Sequence, residues 1–212
     1  MSAAAWGGTL ERCGIPPGSD AAGQLGAYLV LLVKWNRHIN LTASTREPDL
    51  APLVEESVWA AGIYRERMSG LAAPDHLDIG SGAGFPAIPL KVLNPGMRLT
   101  LLESRERKAL FLEHVVRELG LAGVDVRCRR LSDQLNDPGE SGGWNRFSWK
   151  AVRLAVEDWQ GLLEVAAAGA EYWLFHGDEL PVAGPEEFRR RMTLVSSLPV
   201  PHRRSSYLSI YQ

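Results

Sequence analysis

The residues best suited to chemistry lie in one run, Asp78-Ile-Gly-Ser-Gly-Ala-Gly-Phe-Pro86, with Glu103 further on after a second apolar stretch. Glycines at alternating positions, Gly80, Gly82 and Gly84, let the backbone approach a ligand with no Cβ in the way, and a helix N-terminus opens beyond them. Asp78 can accept from an ammonium group, and Glu103 is an acid placed for ribose hydroxyls. A dinucleotide fingerprint, G-x-G-x-x-G, would put its third glycine at position 85, which holds Phe85. The spacing therefore points to a nucleoside site without phosphate chemistry and speaks against a nicotinamide-dependent oxidoreductase. Two plainer readings stand beside it: Gly-rich strand-to-helix turns occur in many doubly wound folds, and Glu103 can cap the helix that begins beside Ser104.

These residues need strands and helices to hold them. Leu25, Tyr28, Leu29, Leu32, Trp35 and Ile39 recur at helical spacing, and a second helix follows Pro48, with Leu53, Val54, Val58, Ala61 and Ile63 facing inward. From residue 75 the pattern alternates: strand 76–79, glycine turn, helix from about Phe85, strand 99–102, helix 105–119, strand 124–128. A loop at 136–145, a strand at 147–152, a helix at 156–168 and a strand at 171–175 follow. After a break at Pro181, Gly184 and Pro185, a helix near 186–192 precedes strands at 193–199 and 207–211, expected to form an antiparallel hairpin. Alternation at this spacing predicts an α/β fold with a doubly wound, mostly parallel sheet covered by helices on both faces. Residues 1–73 read as an N-terminal helical extension and 74–212 as the ligand-binding domain.

The chain has 212 residues, 23 Lys+Arg against 25 Asp+Glu and a formal charge of −2. That balance argues against a nonspecific nucleic-acid coat, whose binding rests on cations neutralising phosphate. Local clusters at Arg105/Arg107/Lys108, Arg127/Arg129/Arg130, Arg189/Arg190/Arg191 and Arg203/Arg204 read by default as solvated faces or helix ends. The longest apolar run, Tyr28 to Val33, is too short to span a bilayer, and no signal peptide is expected before it. Cys13 and Cys128 stand apart from any ligand spacing, which argues against structural zinc and for a reducing, cytoplasmic setting.

Longer motifs are more particular. Asp78-Ile-Gly-Ser-Gly-Ala-Gly-Phe-Pro-Ala-Ile-Pro89, Thr100-Leu-Leu-Glu-Ser104, Phe111-Leu112 and Lys34-Trp-Asn-Arg-His-Ile-Asn-Leu-Thr42 together resemble the bacterial ribosomal RNA small subunit methyltransferase G family, also called glucose-inhibited division protein B. The similarity runs from about residue 20 to 180. It implies a class I, Rossmann-like methyltransferase that uses S-adenosylmethionine and methylates N7 of a guanine in small-subunit ribosomal RNA. The implied partner is that RNA or the assembling small subunit, with no membrane, no metal and a monomeric state.

Carried over by position, the resemblance implies that Asp78, Gly80, Ser81, Gly82, Gly84, Phe85, Glu103, Ser104, Leu131 and Ser132 hold the cofactor. The family's Ser-Arg-Ala becomes Trp149-Lys150-Ala151, its Lys-Gly becomes His176-Gly177, and its acid-serine pair becomes Glu56-Ser57. Lys150 is the expected catalytic residue, touching cofactor or RNA phosphate, with a snorkelling strand-end lysine as the plain alternative. His176 reads as structural. Arg107, Lys108, Arg129 and Arg130 are candidate phosphate contacts, Arg130 foremost. Trp149 either lines the acceptor pocket or is buried; Trp35 and Trp59 read as core. A proton-free lone pair at guanine N7 needs no general base, which fits the absence of a convincing Ser/His/Asp set.

Overall fold

The computed structural model describes residues 3–68, 74–137, 143–177 and 186–212. A 3-10 turn (Ala3–Trp6) leads into α1 (Gly7–Arg12), α2 (Asp20–Trp35) and α3 (Glu47–Arg67). Alternation follows: β1 (Asp75–Ile79), α4 (Ala87–Leu93), β2 (Arg98–Leu102), α5 (Glu106–Glu118), β3 (Val124–Arg127), α6 (Leu131–Leu135), β4 (Trp144–Lys150), α7 (Val156–Val165) and β5 (Ala166–His176). Last come α8 (Glu186–Arg191), β6 (Leu194–Pro199) and β7 (Tyr207–Tyr211). Local chemistry sets several of these boundaries. Ser19 caps α2 by accepting from Ala22 N at 3.2 Å, and Pro48 sits in the first turn of α3, where its missing N–H costs nothing.

The strands form one sheet in the order β3-β2-β1-β4-β5-β7-β6. The first five run parallel, while β7 pairs antiparallel with both β5 and β6, so the expected hairpin completes the sheet. Alternating side chains supply two cores. Leu99, Leu101, Trp173, Phe175, Leu208 and Ile210 pack with α1–α5, so the N-terminal helices share one core with the sheet. Leu77, Ile79, Phe147, Trp149, Tyr172 and Leu174 face the other side, against Leu131, Trp159, Leu162 and Phe188 of α6–α8. No helix among the described residues is long and apolar enough to cross a membrane.

A polar knot fastens α3 to the first of these faces. Arg146 is fully buried, pairs with Glu171 and lies 4.5 Å over the Tyr64 ring and 4.2 Å over Trp173. Arg67, at the end of α3, takes the other Glu171 oxygen. The inward face of α3 accordingly carries Glu56, Ser57 and Tyr64 beside Val54 and Ala61, more polar than its apolar spacing suggests.

Several boundaries differ from the sequence reading. Helix α4 starts at Ala87 instead of Phe85, because the turn continues through Pro86. Strand β4 begins at Trp144, inside the expected loop, of which residues 138–142 lie outside the described residues. Ala166 to Ala168 belong to β5 instead of prolonging α7: Ala166 pairs with Trp144, and that pairing overrides alanine's helix preference. Helices α1 and α6 are short and carry too few turns to show a period.

Candidate functional site

The glycine turn sits over the C-terminal end of β1, where the sheet runs to β2 on one side and β4 on the other; open α/β sheets bind ligands at such a reversal. Gly80 N and Ser81 N donate to Leu102 O at 2.8 and 3.0 Å, tying the turn to β2. Gly80 is exposed and Gly82 half-buried, so these two present their backbone outward, whereas Gly84 is buried. At φ +91°, a Cβ on Gly84 would lie 2.7 Å from Ile88 Cγ1 and 3.3 Å from Tyr28 Oη. Gly84 thus serves packing, and so does Gly80, where a Cβ would lie 2.6 Å from Val152 Cγ2; Gly82, with nothing nearer than 3.6 Å, is the position left open to approach. Tyr28, fully buried on α2, donates from its hydroxyl to Ala83 O at 2.6 Å and meets the Phe85 ring edge-on at 5.2 Å. Burial pushes the Tyr28 phenol well up, with Asp78 adding to the effect, so it stays a donor.

Asp78 lies beneath the turn, 2% exposed. Ser148 Oγ donates to its Oδ1 at 2.5 Å, and His76 Nε2 stands 2.7 Å from the same Ser148 oxygen. Since the single serine proton goes to the carboxylate, His76 must donate through Nε2, as a neutral ring. Burial, with Arg146 nearby, holds His76 well below the usual imidazole range. Burial pushes the Asp78 carboxyl up to about 6; Ser148 and Ser81 oppose this and Glu103 adds to it. Asp78 therefore stays ionised at neutral pH at a desolvation cost that a cationic ligand group would relieve.

Glu103 does not cap α5, but both its oxygens are bonded at the turn. Its Oε2 accepts from Gly82 N at 2.9 Å and its Oε1 from Arg105 N at 2.8 Å, so it ties the turn to β2 and to the residue just before α5. Each oxygen keeps a second lone pair for a hydroxyl donor. Beside it a cavity of about 300 Å³ brings Gly80, Ser104, Arg129, Arg130 and Leu131 together with Val152, Arg153 and Leu154. Leu131 is buried at the start of α6 and Ser132 is exposed next to it. Sequence reasoning missed the Val152–Leu154 wall, a stretch with no motif of its own. A larger hollow of about 1180 Å³ lies between the N-terminal helices, beside Pro95 at the opposite end of the sheet, and contains none of the expected site residues.

Lys150 ends β4 on the same strand face as Ser148, and its ammonium pairs with Glu56 of α3. Arg203, from the turn between β6 and β7, takes the second Glu56 oxygen. Burial lowers the Lys150 ammonium, Glu56 opposes that, and Arg203 reinforces it. Ser57 Oγ bonds within its own helix, to Leu53 O at 2.6 Å. The other expected cations are scattered. Arg130 is exposed on the cavity rim; Arg129 pairs with Asp137 at 2.9 Å; exposed Arg107 and half-buried Lys108 lie on the first turns of α5. His176 has both ring nitrogens occupied, by Gly177 O at 2.7 Å and Ser209 Oγ at 2.8 Å. Trp149 is 5% exposed and packs edge-on against Trp159 at 5.2 Å, in the core and on the face away from Lys150.

Residues 21–141 match the family described as rRNA small subunit methyltransferase G. Among curated relatives of that name, one from Dehalococcoides mccartyi (strain CBDB1) is 39% identical over 132 residues, 61% of this chain. One from Geobacillus kaustophilus (strain HTA426) is 41% identical over 145 residues, 68% of this chain. The matched stretches span only 53% and 59% of those relatives' lengths. A third, from Pseudomonas paraeruginosa (strain DSM 24068 / PA7), is 34% identical over 191 residues, covering 84% of this chain and 81% of the relative. Solved structures agree on the fold. A SAM dependent methyltransferase from Aquifex aeolicus superimposes with a TM-score of 0.58 at 16% identity, over 85% of this chain and 97% of that one. The mitomycin 7-O-methyltransferase MmcR does so at 0.57 and 17%, over 96% and 70%.

Proposed function

The chain belongs to the rRNA small subunit methyltransferase G family, and from that premise we propose that it is an S-adenosylmethionine-dependent methyltransferase acting on N7 of a guanine in 16S, small-subunit ribosomal RNA. The observation that carries the reading is the Gly80–Gly82 backbone over β1 with Glu103 bonded to it, a cradle for a nucleoside that stays open at Gly82, where a Cβ would stand 4.0 Å from Glu103 Oε2. When bound, S-adenosylmethionine supplies a methyl group on a positively charged sulfur. Asp78, held by Ser148 beneath the turn, offsets the cationic ammonium end. Glu103 accepts from the ribose hydroxyls, and Ser104, Leu131 and Ser132 bound the adenine. Phe85 and Gly84 brace the turn through Tyr28 and Ile88.

Guanine N7 carries a lone pair and no proton, so the protein's task is to align acceptor and methyl group and exclude water; neither a general base nor a metal is required. Lys150 belongs to the acceptor side of this arrangement. Arg130, Arg129, Arg107 and Lys108 are the phosphate contacts on the opposite rim. The partner is small-subunit ribosomal RNA or the assembling subunit, met in the cytoplasm by a monomer whose residues 1–73 form a helical extension of the domain at 74–212. Titration calorimetry with S-adenosylmethionine tests the cofactor: the intact chain gives heat, and Gly82→Asp, which sets a second carboxylate against Glu103, abolishes it. Transfer of labelled methyl to undermethylated small subunits tests the acceptor, and binding without transfer would move the reading to a different acceptor.

A further inference from the structure

The cluster of Lys150, Glu56 and Arg203 repeats the plan of the Arg67–Glu171–Arg146 knot, with one difference: Arg146 is fully buried there, whereas both cations here reach solvent. Glu56 is a 2% exposed carboxylate between two cations that come from elements far apart in the chain, and the cations keep 26% and 30% of their side-chain surface. The cluster thus carries one net positive charge, with its anion inside and its cations facing out. Among the described residues, the non-glycine positions with positive φ are Ala151 (55°), His202 (60°) and Ser205 (56°). Ala151 follows Lys150, His202 precedes Arg203, and Ser205 closes the same turn. Backbone held in that region by non-glycine residues gathers where surrounding structure aims a group at a purpose.

Position adds a second argument. Tyr207, which follows the turn, pairs with His176 at the end of β5, so the turn stands at the C-terminal end of the parallel strands, where the ligand crevice is. Lys150 lies two residues beyond Ser148, about 7 Å further along the same strand face, and Ser148 holds Asp78. The cations therefore stand just past the group assigned to the cofactor ammonium. From Arg203 and Arg204 a groove of about 590 Å³ runs outward between the turn and α3, past Thr42 and Ser44; Asp49 at its edge is neutralised by Arg46 at 2.7 Å.

We propose that Lys150 and Arg203, held by Glu56, form an anion subsite that takes a phosphate of the acceptor RNA strand, with the groove beyond as that strand's path. The inference rests on the RNA acceptor reading above and assigns Glu56 as a positioning residue. A cofactor carboxylate shares the same anionic chemistry, so the test has two arms, both on the full chain at pH 7: binding of a 16S ribosomal RNA transcript across salt concentrations, and calorimetry with S-adenosylhomocysteine. Glu56→Gln unmasks a charge, so it tightens RNA binding about 3- to 10-fold and steepens the log–log salt slope by about one; Arg203→Gln does the reverse, and Arg203→Lys restores it. The double variant Glu56→Gln/Arg203→Gln returns the slope to that of the parent, which guards against a folding artefact. Cofactor-product affinity stays within about 2-fold throughout. Unchanged slopes with lowered melting temperatures would reduce the cluster to a structural ion pair and overturn the proposal. Effects on S-adenosylhomocysteine instead of RNA would also overturn it, assigning the anion to the cofactor. If the parent chain binds product but no RNA, the acceptor reading itself falls.

Discussion

Around the glycine turn, positions are held chiefly through backbone groups, within the turn and to the end of the adjoining strand: Gly80 and Ser81 bond to Leu102, Gly82 to the Glu103 carboxylate, Gly84 to Ser81 at 2.7 Å. Across the crevice, at the end of β4, the holding is done by charged side chains of residues 94 and 147 positions apart, Lys150 to Glu56 and Arg203 to Glu56. The first wall suits a ligand whose shape never varies, because backbone geometry leaves little to adjust. The second can take on a further partner, because the ammonium and the guanidinium keep 26% and 30% of their side-chain surface and have donors beyond those given to Glu56.

The largest effect should come from breaking the rigid wall. Gly84→Ala places a Cβ 2.7 Å from Ile88 Cγ1 at a positive φ, which should cost about 2–4 kcal/mol of stability, read from the denaturant midpoint, and abolish cofactor binding. Gly82→Ala has its nearest contacts at 3.6 and 4.0 Å and should cost only about 1 kcal/mol. Equal losses for the two would mean that Gly84 has no packing role.

Asp78 gives the next effect. Its carboxyl, raised by burial to about 6, is protonated below that pH, so cofactor affinity should fall about tenfold per unit as pH drops beneath 6. Asp78→Asn should flatten that profile in calorimetry. Stability should move the opposite way. The folded state holds the Asp78 proton more tightly than the unfolded chain does. Its contribution to stability therefore declines as pH rises from about 4 to about 6, and Asp78→Asn should melt higher than the parent at pH 7. A lower melting point for Asp78→Asn at pH 7 would mean that the buried charge is not a burden.

Smaller effects sharpen the contrast. Tyr28→Phe strands the Ala83 carbonyl and should cost about 1–3 kcal/mol, with cofactor affinity down about 3- to 10-fold. On the other wall, Arg204→Ala removes an exposed cation beside the groove and should weaken RNA binding only a few-fold, lower the salt slope by about one and leave the cofactor untouched. A cofactor effect from Arg204→Ala would show that the two walls are coupled.

Much of the fold was legible because its signals are local. The buried runs of β1 and β2 and the helical spacing of Leu112 and Val115 on α5, with Leu119 just past its end, place the site's supports within a residue or two. Where pairing decides, legibility stops. Ala166 reads as helix and is strand because Trp144 stands opposite; Trp149 reads equally as pocket or core, and only the facing Trp159 decides. The site divides the same way. Gly80, Gly82 and Glu103 are readable as a unit, while His76 and Ser148 carry no signal pointing to Asp78, 70 residues before Ser148.

The sequence by itself determined the sheet's alternation, the glycine turn after β1 and the acid after β2, and through their longer motifs the family. These follow from backbone freedom at glycine and from periods of two and 3.6, which neighbouring residues encode among themselves. The tertiary structure alone decided that Glu103 ties Gly82 to the start of the next segment, that Gly80 and Gly84 pack closely while Gly82 stays open, and that Lys150 and Arg203 meet at Glu56. An ion pair depends on where two elements come to rest against a shared core, and no window of sequence contains both.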